Sequence, residues 1–426
     1  MKEFTYALVG MFIIALFGYL IGSVRVKGVA LGTAGVFLVA ILYGYIVTVK
    51  FVSESGSDFI KNFFVYTAKT DGGGRITGVT SSFSHFENIG LVLFVTAVGF
   101  VAGPSFFHNL KKNFTSYISI GALIIVIGAA ISVGFTLLLK VLPGLEMETE
   151  TMADFSVGIL SGALTSTPAF SAAKSVAYDV NIVSLGHAIA YPFGVVGVVL
   201  FVQLVPKMLR ADPEEERAKM KHADAENREE YGGKLFEIDP FGLAPFAFAV
   251  ILGILLGAVR IPLTGKGYDG ATFSLGNTGG TLIMALVLGH FGRIGKISLK
   301  VPDHTVKVFR EFGLMLFLIG AGVGGGVSLV GEISSNGGMI VLYGFLGGAV
   351  MTLIPMIIGF IFAKYVLKLP LFNNLGSICG GMTSTPALGT LISTTGTEDV
   401  AGAYAATYPI ALILVVLASN LIVSLM

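Results

Sequence analysis

The pentad Thr-Ser-Thr-Pro-Ala occurs twice, at 165–169 in SGALTSTPAFSAAKS and at 383–387 in CGGMTSTPALGTLIS, 218 residues apart. Both copies lie inside long apolar stretches. Hydroxyls there are costly unless partnered, and proline has no N–H and disfavours helix in the residue before it. Gly162, Gly380 and Gly381 just upstream loosen the backbone further. A break of this kind leaves main-chain N–H and C=O groups unpaired. It is tolerated at membrane depth only when buried in protein or lining an aqueous cavity. N–H groups at the start of a half-helix suit a carboxylate, and unpaired carbonyls suit Na⁺ or an ammonium. One copy is explained by hydroxyls that bond back to the helix and a proline that kinks it. Two matched copies at equivalent places point to a binding site. Its candidate residues are Thr165, Ser166, Thr167, Pro168, Thr383, Ser384, Thr385 and Pro386.

A second tier surrounds them. Gly162 and Gly381 shape the breaks. Tyr191-Pro192 and Tyr408-Pro409 follow each copy and form either a cavity wall or a helix interface. His187 is an intramembrane ionisable residue, a ligand or proton contact by default. Lys174 either snorkels to the surface or attracts an anion; its counterpart is Ile392. Glu87, Arg310 and Glu311 fall at span entrances and read as interfacial anchors, and His290 at a helix end. The run AGVGGGVSLVG at 321–331 lacks a phosphate-loop ending and reads as tight packing. No metalloprotease, nucleophile-elbow or paired-carboxylate pattern is present, so no enzyme chemistry, resident metal or cofactor is expected. Na⁺ or H⁺ remains open as a coupling ion.

The elements that position these residues are membrane helices. Of 426 residues 54% are hydrophobic and 12% charged, about half the charge of a soluble domain. Net charge is +1, and no basic patch suggests nucleic acid. A single cysteine, Cys379, excludes an intramolecular disulfide. The N-terminal apolar run lacks a basic start and reads as a first span, not a signal peptide. Apolar spans are expected at about 4–23, 31–49, 88–107, 116–139 and 182–208, then at about 241–259, 273–291, 311–330, 339–363 and 399–425. Between the halves, residues 206–240 carry seven Lys/Arg and ten Asp/Glu, a solvated linker.

The halves repeat one another in order. GSVRV at 22–26 matches GAVRI at 257–261, GVFLVAILYGY at 35–45 resembles GTLIMALVLGH at 280–290, and FENIGLVLF at 86–94 matches FREFGLMLF at 309–317. Loop charges set the orientation: the linker and the basic turns 108–115 and 292–310 fall inside, and the acidic turn 140–153 and the turn 331–338 outside. Segment 154–178 then leaves and returns on the outer face, and 373–397 on the inner. The expected fold is therefore an all-α polytopic membrane protein of two inverted-topology repeats. Each has about five spans plus one re-entrant segment. Repeat 1 is 1–206, the cytoplasmic linker 207–239 and repeat 2 240–426, with both termini extracytoplasmic. A continuous broken helix at each pentad, giving six crossings per half and parallel repeats, is the alternative.

The doubled pentad with upstream glycines, in a duplicated membrane region with a central hydrophilic break, resembles the aspartate:alanine exchanger family of bacterial permeases. The resemblance covers roughly 5–205 and 240–425. It implies a secondary transporter of the bacterial cytoplasmic membrane, acting on a small carboxylate or amino acid without ATP and forming a homodimer. Family members usually carry a large pair of regulatory domains between the halves, where this chain has about 35 polar residues. Analogy with other hairpin-tip carriers implies an elevator mechanism, with the site between the two tips. A cation-coupled carboxylate symporter and a channel for small solutes are the alternatives.

Overall fold

The computed structural model describes residues 2–26, 29–30, 33–49, 68–70, 76–79, 81–142, 148–221, 235–262, 272–336 and 338–426. Residues 50–67 and 263–271 and part of the acidic turn at 140–153 lie outside them. The first half runs α1 (Lys2–Ser23), α2 (Ala34–Val49), α3 (Ser81–Leu139), α4 (Thr149–Ala163), α5 (Thr167–Val176) and α6 (Val180–Met208). The linker contributes α7 (Pro213–Lys221). The second half runs α8 (Leu243–Gly257), α9 (Gly276–Phe291), α10 (Asp303–Asn336), α11 (Gly338–Ile361), α12 (Leu371–Gly381), α13 (Thr385–Thr395) and α14 (Val400–Leu425). A π-turn, Phe362–Val366, extends α11. Among the described residues, six helical stretches are long and apolar enough to span a bilayer: Phe4–Ser23, Ser82–Pro104, Thr115–Leu139, Ile182–Met208, Met339–Val366 and Val400–Val423. The protein is a multi-pass membrane protein. Large apolar side chains that a soluble protein would bury, such as Phe12, Leu16 and Leu255, are over half exposed on α1 and α8.

The same close contacts are made twice. In the first half Gly35 of α2 meets Gly18 and Gly22 of α1; in the second, Gly280 of α9 meets Gly253 and Gly257 of α8. Between the two helices of each pair, two-residue strands pair antiparallel, Arg25–Val26 with Val29–Ala30 and Ile261–Pro262 with Thr272–Phe273. Small residues let backbones approach where lipid offers no hydrophobic drive to associate. The halves then exchange partners. Gly322 of α10 packs on Ala40 of α2, and Gly99 of α3 on Ala285 of α9. Where α3 crosses α10, Gly90 faces Gly313 and Phe317, and Gly313 faces Gly90 and Phe94.

The expected loop at 108–115 is instead helical, as is the turn at 331–336. A straight helix of 59 residues would be roughly 88 Å long. Its contacts exclude that. Gly90 of α3 lies by Gly313 and Glu87 by Gly320, so this arm is antiparallel to α10. Ile124 lies by Gly359 and Phe135 by Gly347, so the later arm is antiparallel to α11. Since α10 and α11 are separated by residue 337 alone, two straight rods cannot satisfy both sets. The arms before Pro104 and after Thr115 therefore run back along one another, and the reversal is a corner between abutting helices rather than a loop. Pro104, inside the helix, removes a ladder hydrogen bond near that corner.

Candidate functional site

Each pentad is a turn between two short helices. At the first, Ser166 N–H bonds Ser161 O at 2.8 Å and Thr165 N–H bonds Gly162 O at 2.9 Å. At the second, Ser384 N–H bonds Cys379 O at 2.9 Å and Thr383 N–H bonds Gly380 O at 3.1 Å. These paired bonds end a helix with its next residue in the left-handed region, usually a glycine. Here that residue is a threonine, with φ 51° at Thr165 and 48° at Thr383. Ser166 and Ser384 then take extended conformations and start α5 and α13, with the proline in the first turn where no N–H is missed.

The chain reverses at each turn. Asp154 Oδ2, eleven residues before the first tip, accepts the N–H of Asp179 at 2.6 Å. Gly158 then packs by Val183, Gly162 by His187 and Tyr191, and Gly194 by Thr165. So α4 and α6 run parallel, which requires α5 to return between them. In the second half Gly376 packs by Val400 and Gly380 by Tyr404, the same relation between α12 and α14. The return arms then cross over: α5 packs on α14 and α13 on α6.

The tips touch through equivalent hydroxyls. Thr165 Oγ1 donates to Thr383 O at 3.3 Å, and Thr383 Oγ1 donates to Leu164 O at 2.7 Å. Beside them is a small cavity, about 20 Å³, lined by Thr165, Ser166, Pro168, Thr383, Thr385, Pro386 and Tyr408 from the segments singled out, with Leu91, Thr278 and Phe317. Among the described residues, no charged side chain lines it. It holds about one water. The N-termini of α5 and α13 both begin at it, and the positive ends of the two helix dipoles make this polar floor electropositive.

Comparison with known proteins agrees with this architecture. The Asp-Al exchanger profile, described as Predicted Permease Membrane Region, matches residues 70–207 and 245–424. The chain belongs to the aspartate:alanine exchanger family. An uncharacterized transporter of Bacteroides fragilis is 25% identical over 96% of each chain, and one of Rhodopirellula baltica 25% identical over 98% of this chain and 99% of its own. An uncharacterized transporter of Geobacter sulfurreducens is 31% identical over 46% of this chain and 35% of its own. The Bacteroides alignment runs over 561 positions against 426 residues here, so that relative carries more than a hundred residues that this chain lacks. Like its relatives, the chain is a membrane transporter.

The other singled-out residues divide. Tyr408 reaches the cavity; Tyr191, its counterpart, does not line it and packs on Phe37 and His187. His187 holds the first hairpin by both arms. Its Nδ1 shares a hydrogen bond with Ser161 Oγ on α4 at 2.8 Å, and its ring stacks on Phe170 of α5 at 4.2 Å. Tyr404 takes that place in the second half, 3.4 Å from Thr385 Oγ1 and stacked on Tyr408. Lys174 lies 4.8 Å over the Phe170 ring and not at the cavity. Gly162 and Gly381 pack the inbound arms against His187 O and Ile124. Ser384 Oγ is buried with no partner among the described residues, whereas Ser166 Oγ caps Ala169 N–H. Of Thr167 only the backbone, opening α5, is described. His290 sits in the last turn of α9.

Arg310 and Glu87 correct the anchoring expectation. Arg310 is 7% exposed and pairs with Glu398 at 2.7 Å and Glu311 at 3.0 Å, tying α10 to the base of the second hairpin. Glu87 lies one turn before the cavity residue Leu91, packed on Gly320. Two participants carried no local signal: Thr278, and Thr352 of α11, whose hydroxyl donates to Ala163 O at 3.3 Å. Leu91 and Phe317 were marked only by the repeat that contains them.

Proposed function

We propose that the cavity between the two tips is the substrate site of a secondary carrier for a small carboxylate or amino acid. One observation carries this reading: two equivalent Thr-Ser-Thr-Pro turns meet through reciprocal hydrogen bonds and bring two helix N-termini to one uncharged, hydroxyl-lined cavity. The N–H ends suit a carboxylate, and the outward carbonyls suit an ammonium. The lack of a lining cation favours a monocarboxylate or zwitterion over a dicarboxylate. Aspartate, with two carboxylates, is the less favoured of the pair in the family's name.

On this reading 154–178 and 373–397 are re-entrant hairpins entering from opposite faces of inverted repeats 1–206 and 240–426. The antiparallel crossing of α3 and α10 at the equivalent Gly90 and Gly313 supports that inversion. The cavity is too small for a carboxylate, so substrate binding parts the tips. An elevator-type movement, with α1, α2, α8 and α9 as a dimerising scaffold, rests on analogy with other hairpin-tip carriers. The setting proposed is the bacterial inner membrane with the linker inside, and Na⁺ or H⁺ as a candidate coupling ion.

The test is counterflow in proteoliposomes, with a panel of amino acids, monocarboxylates and dicarboxylates. Uptake stimulated by internal substrate is expected, and it should fall at least tenfold on Thr385→Val or Thr278→Val. Conduction without stimulation by internal substrate refutes the carrier. Undiminished transport in both variants refutes the site.

A further inference from the structure

The two hairpins are closed at their bases by different means. The first is closed by its own residues: Asp154 of the inbound arm binds the N–H of Asp179 beyond the outbound one. The second is closed by the linker. Glu216 Oε2 of α7 accepts the N–H of Leu371, the first residue of α12, at 3.0 Å. Its neighbour Arg217 donates from Nε to the O of Thr395, the last residue of α13, at 2.6 Å. Each charge matches the helix end it meets: a carboxylate at an N-terminus, a guanidinium at a C-terminus. The Arg217 Nη2 also lies over Gly396, whose φ of +64° ends α13.

The linker helix is well seated for this. Asp212 Oδ1 caps it by accepting the N–H of Glu214 at 2.8 Å. Met220 is 3% exposed. Lys219 pairs with Glu216 at 2.8 Å and holds that carboxylate in place. It follows α6 after a tight turn, with Arg210 at φ 50°. Movement of α6, the last helix of the first half, is therefore carried directly to the base of the hairpin in the second.

We propose that α7 is a latch: Glu216 and Arg217 are positioning residues that hold the two ends of the second hairpin together, and the hairpin opens only when they let go. This rests on the carrier reading only for what the opening serves. The latch lies in the segment between the two family-matched blocks, 70–207 and 245–424, so a ligand or protein acting on the linker could set the hairpin's mobility.

The chain supplies its own probe. Cys379, its single cysteine, is buried on α12 between the latch and the tip. Alkylation of Cys379 by a water-soluble maleimide is followed on the full chain in lipid nanodiscs. Charge-assisted hydrogen bonds are worth ~1.5–3 kcal/mol, so about tenfold faster labelling is expected for Glu216→Gln and for Arg217→Gln. Arg217→Lys, which keeps the charge, should fall between Arg217→Gln and the parent and remains informative should the neutral variant not fold. Glu214→Gln, on the same helix, should label as the parent does. Hydrogen exchange should show lost protection at the Leu371 amide in Glu216→Gln. Parental labelling rates in both latch variants overturn the proposal, and so does equal acceleration in Glu214→Gln. Labelling needs no substrate, so failed counterflow bears on the carrier reading alone.

Discussion

The two tip threonines occupy a conformation that β-branched residues avoid. At φ 51° and 48°, Thr165 and Thr383 stand where helices normally end on glycine. The left-handed conformation costs a non-glycine residue roughly 1–2 kcal/mol. The hydroxyls give part of that back. Thr383 Oγ1, at 2.7 Å from Leu164 O, is a short buried bond worth about 1 kcal/mol net, and losing it leaves a carbonyl unpaired at about 1–3 kcal/mol. The Thr165 bond, at 3.3 Å, is weaker. Replacement by alanine keeps much of the strain and loses the bond, so it should destabilise by about 1–3 kcal/mol at 383 and less at 165. Replacement by glycine loses the same bond but relieves the strain, against roughly 0.5–1 kcal/mol of added chain entropy. Thr165→Gly should then be near neutral. At both positions glycine should exceed alanine in stability by about 1 kcal/mol, the reverse of their order inside a helix.

The assay is thermal unfolding of the four single variants in one detergent at one scan rate, since unfolding of such proteins is often irreversible. Counterflow is measured in parallel. Transport should be lost in both Thr383 variants, because glycine restores the turn and not the hydroxyl. Alanine variants as stable as the glycine ones would refute the strain argument. Full transport by the glycine variants would show that the turn, not the hydroxyl, is what the site needs.

Three further outcomes follow from the packing and the charges. Gly162→Ala should destabilise by about 1–3 kcal/mol, because a Cβ there would lie 2.5 Å from His187 O; Gly134→Ala, with nothing within 4 Å, should be neutral or slightly stabilising in the same melting assay. Arg310→Gln should lower stability by about 3 kcal/mol by leaving Glu398 without its partner in a mostly buried pair, and Glu398→Gln in that background should recover part of it. Asp239 accepts the N–H groups of Phe241, Leu243 and Ala244 at the start of α8, and these bonds hold its carboxyl below the usual range. A depressed carboxylate stabilises above its unfolded pKa, near 3.9, and the contribution disappears as pH falls through the folded value. The difference in melting temperature between the parent and Asp239→Asn should therefore be constant above about pH 5 and close as the pH drops below that of the unfolded group.

The pentads, the helical class and the order of elements were legible because each depends on local chemistry: apolar length, proline and matched segments. The cavity was legible in its hydroxyl residues because they recur. Thr278 and Thr352 were not, since a single threonine in an apolar helix has the same appearance whether it bonds its own turn or another helix's carbonyl. Arg310 and Glu87 are counterparts in the repeat with opposite charge, and a sequence gives no means of knowing that one finds Glu398. The corner near 108–115 was misread because a basic, polar stretch normally marks a loop, and here helical backbone abuts the corner on both sides. The latch was invisible for a related reason. Glu216 and Arg217 lie among many charges in the linker, and their targets are main-chain groups some 155 and 178 residues away, which no side-chain pattern records.

On the carrier reading, the tip bonds and the substrate compete for the same atoms. Thr165 Oγ1 and Thr383 Oγ1 donate to main-chain carbonyls across the contact, and those donors are among the groups a carboxylate would take. A substrate that fills the cavity must part the tips and replace both bonds. The unliganded protein is thus held with its tips joined, and substrate supplies what the separation costs. Weakening the pair at its longer bond, as Thr165→Val does, should then raise apparent substrate affinity several-fold in counterflow, by roughly the 0.5–1.5 kcal/mol of one hydrogen bond. A fall in affinity would mean that the hydroxyl serves the substrate more than the contact, and would place Thr165 among the ligand's direct partners.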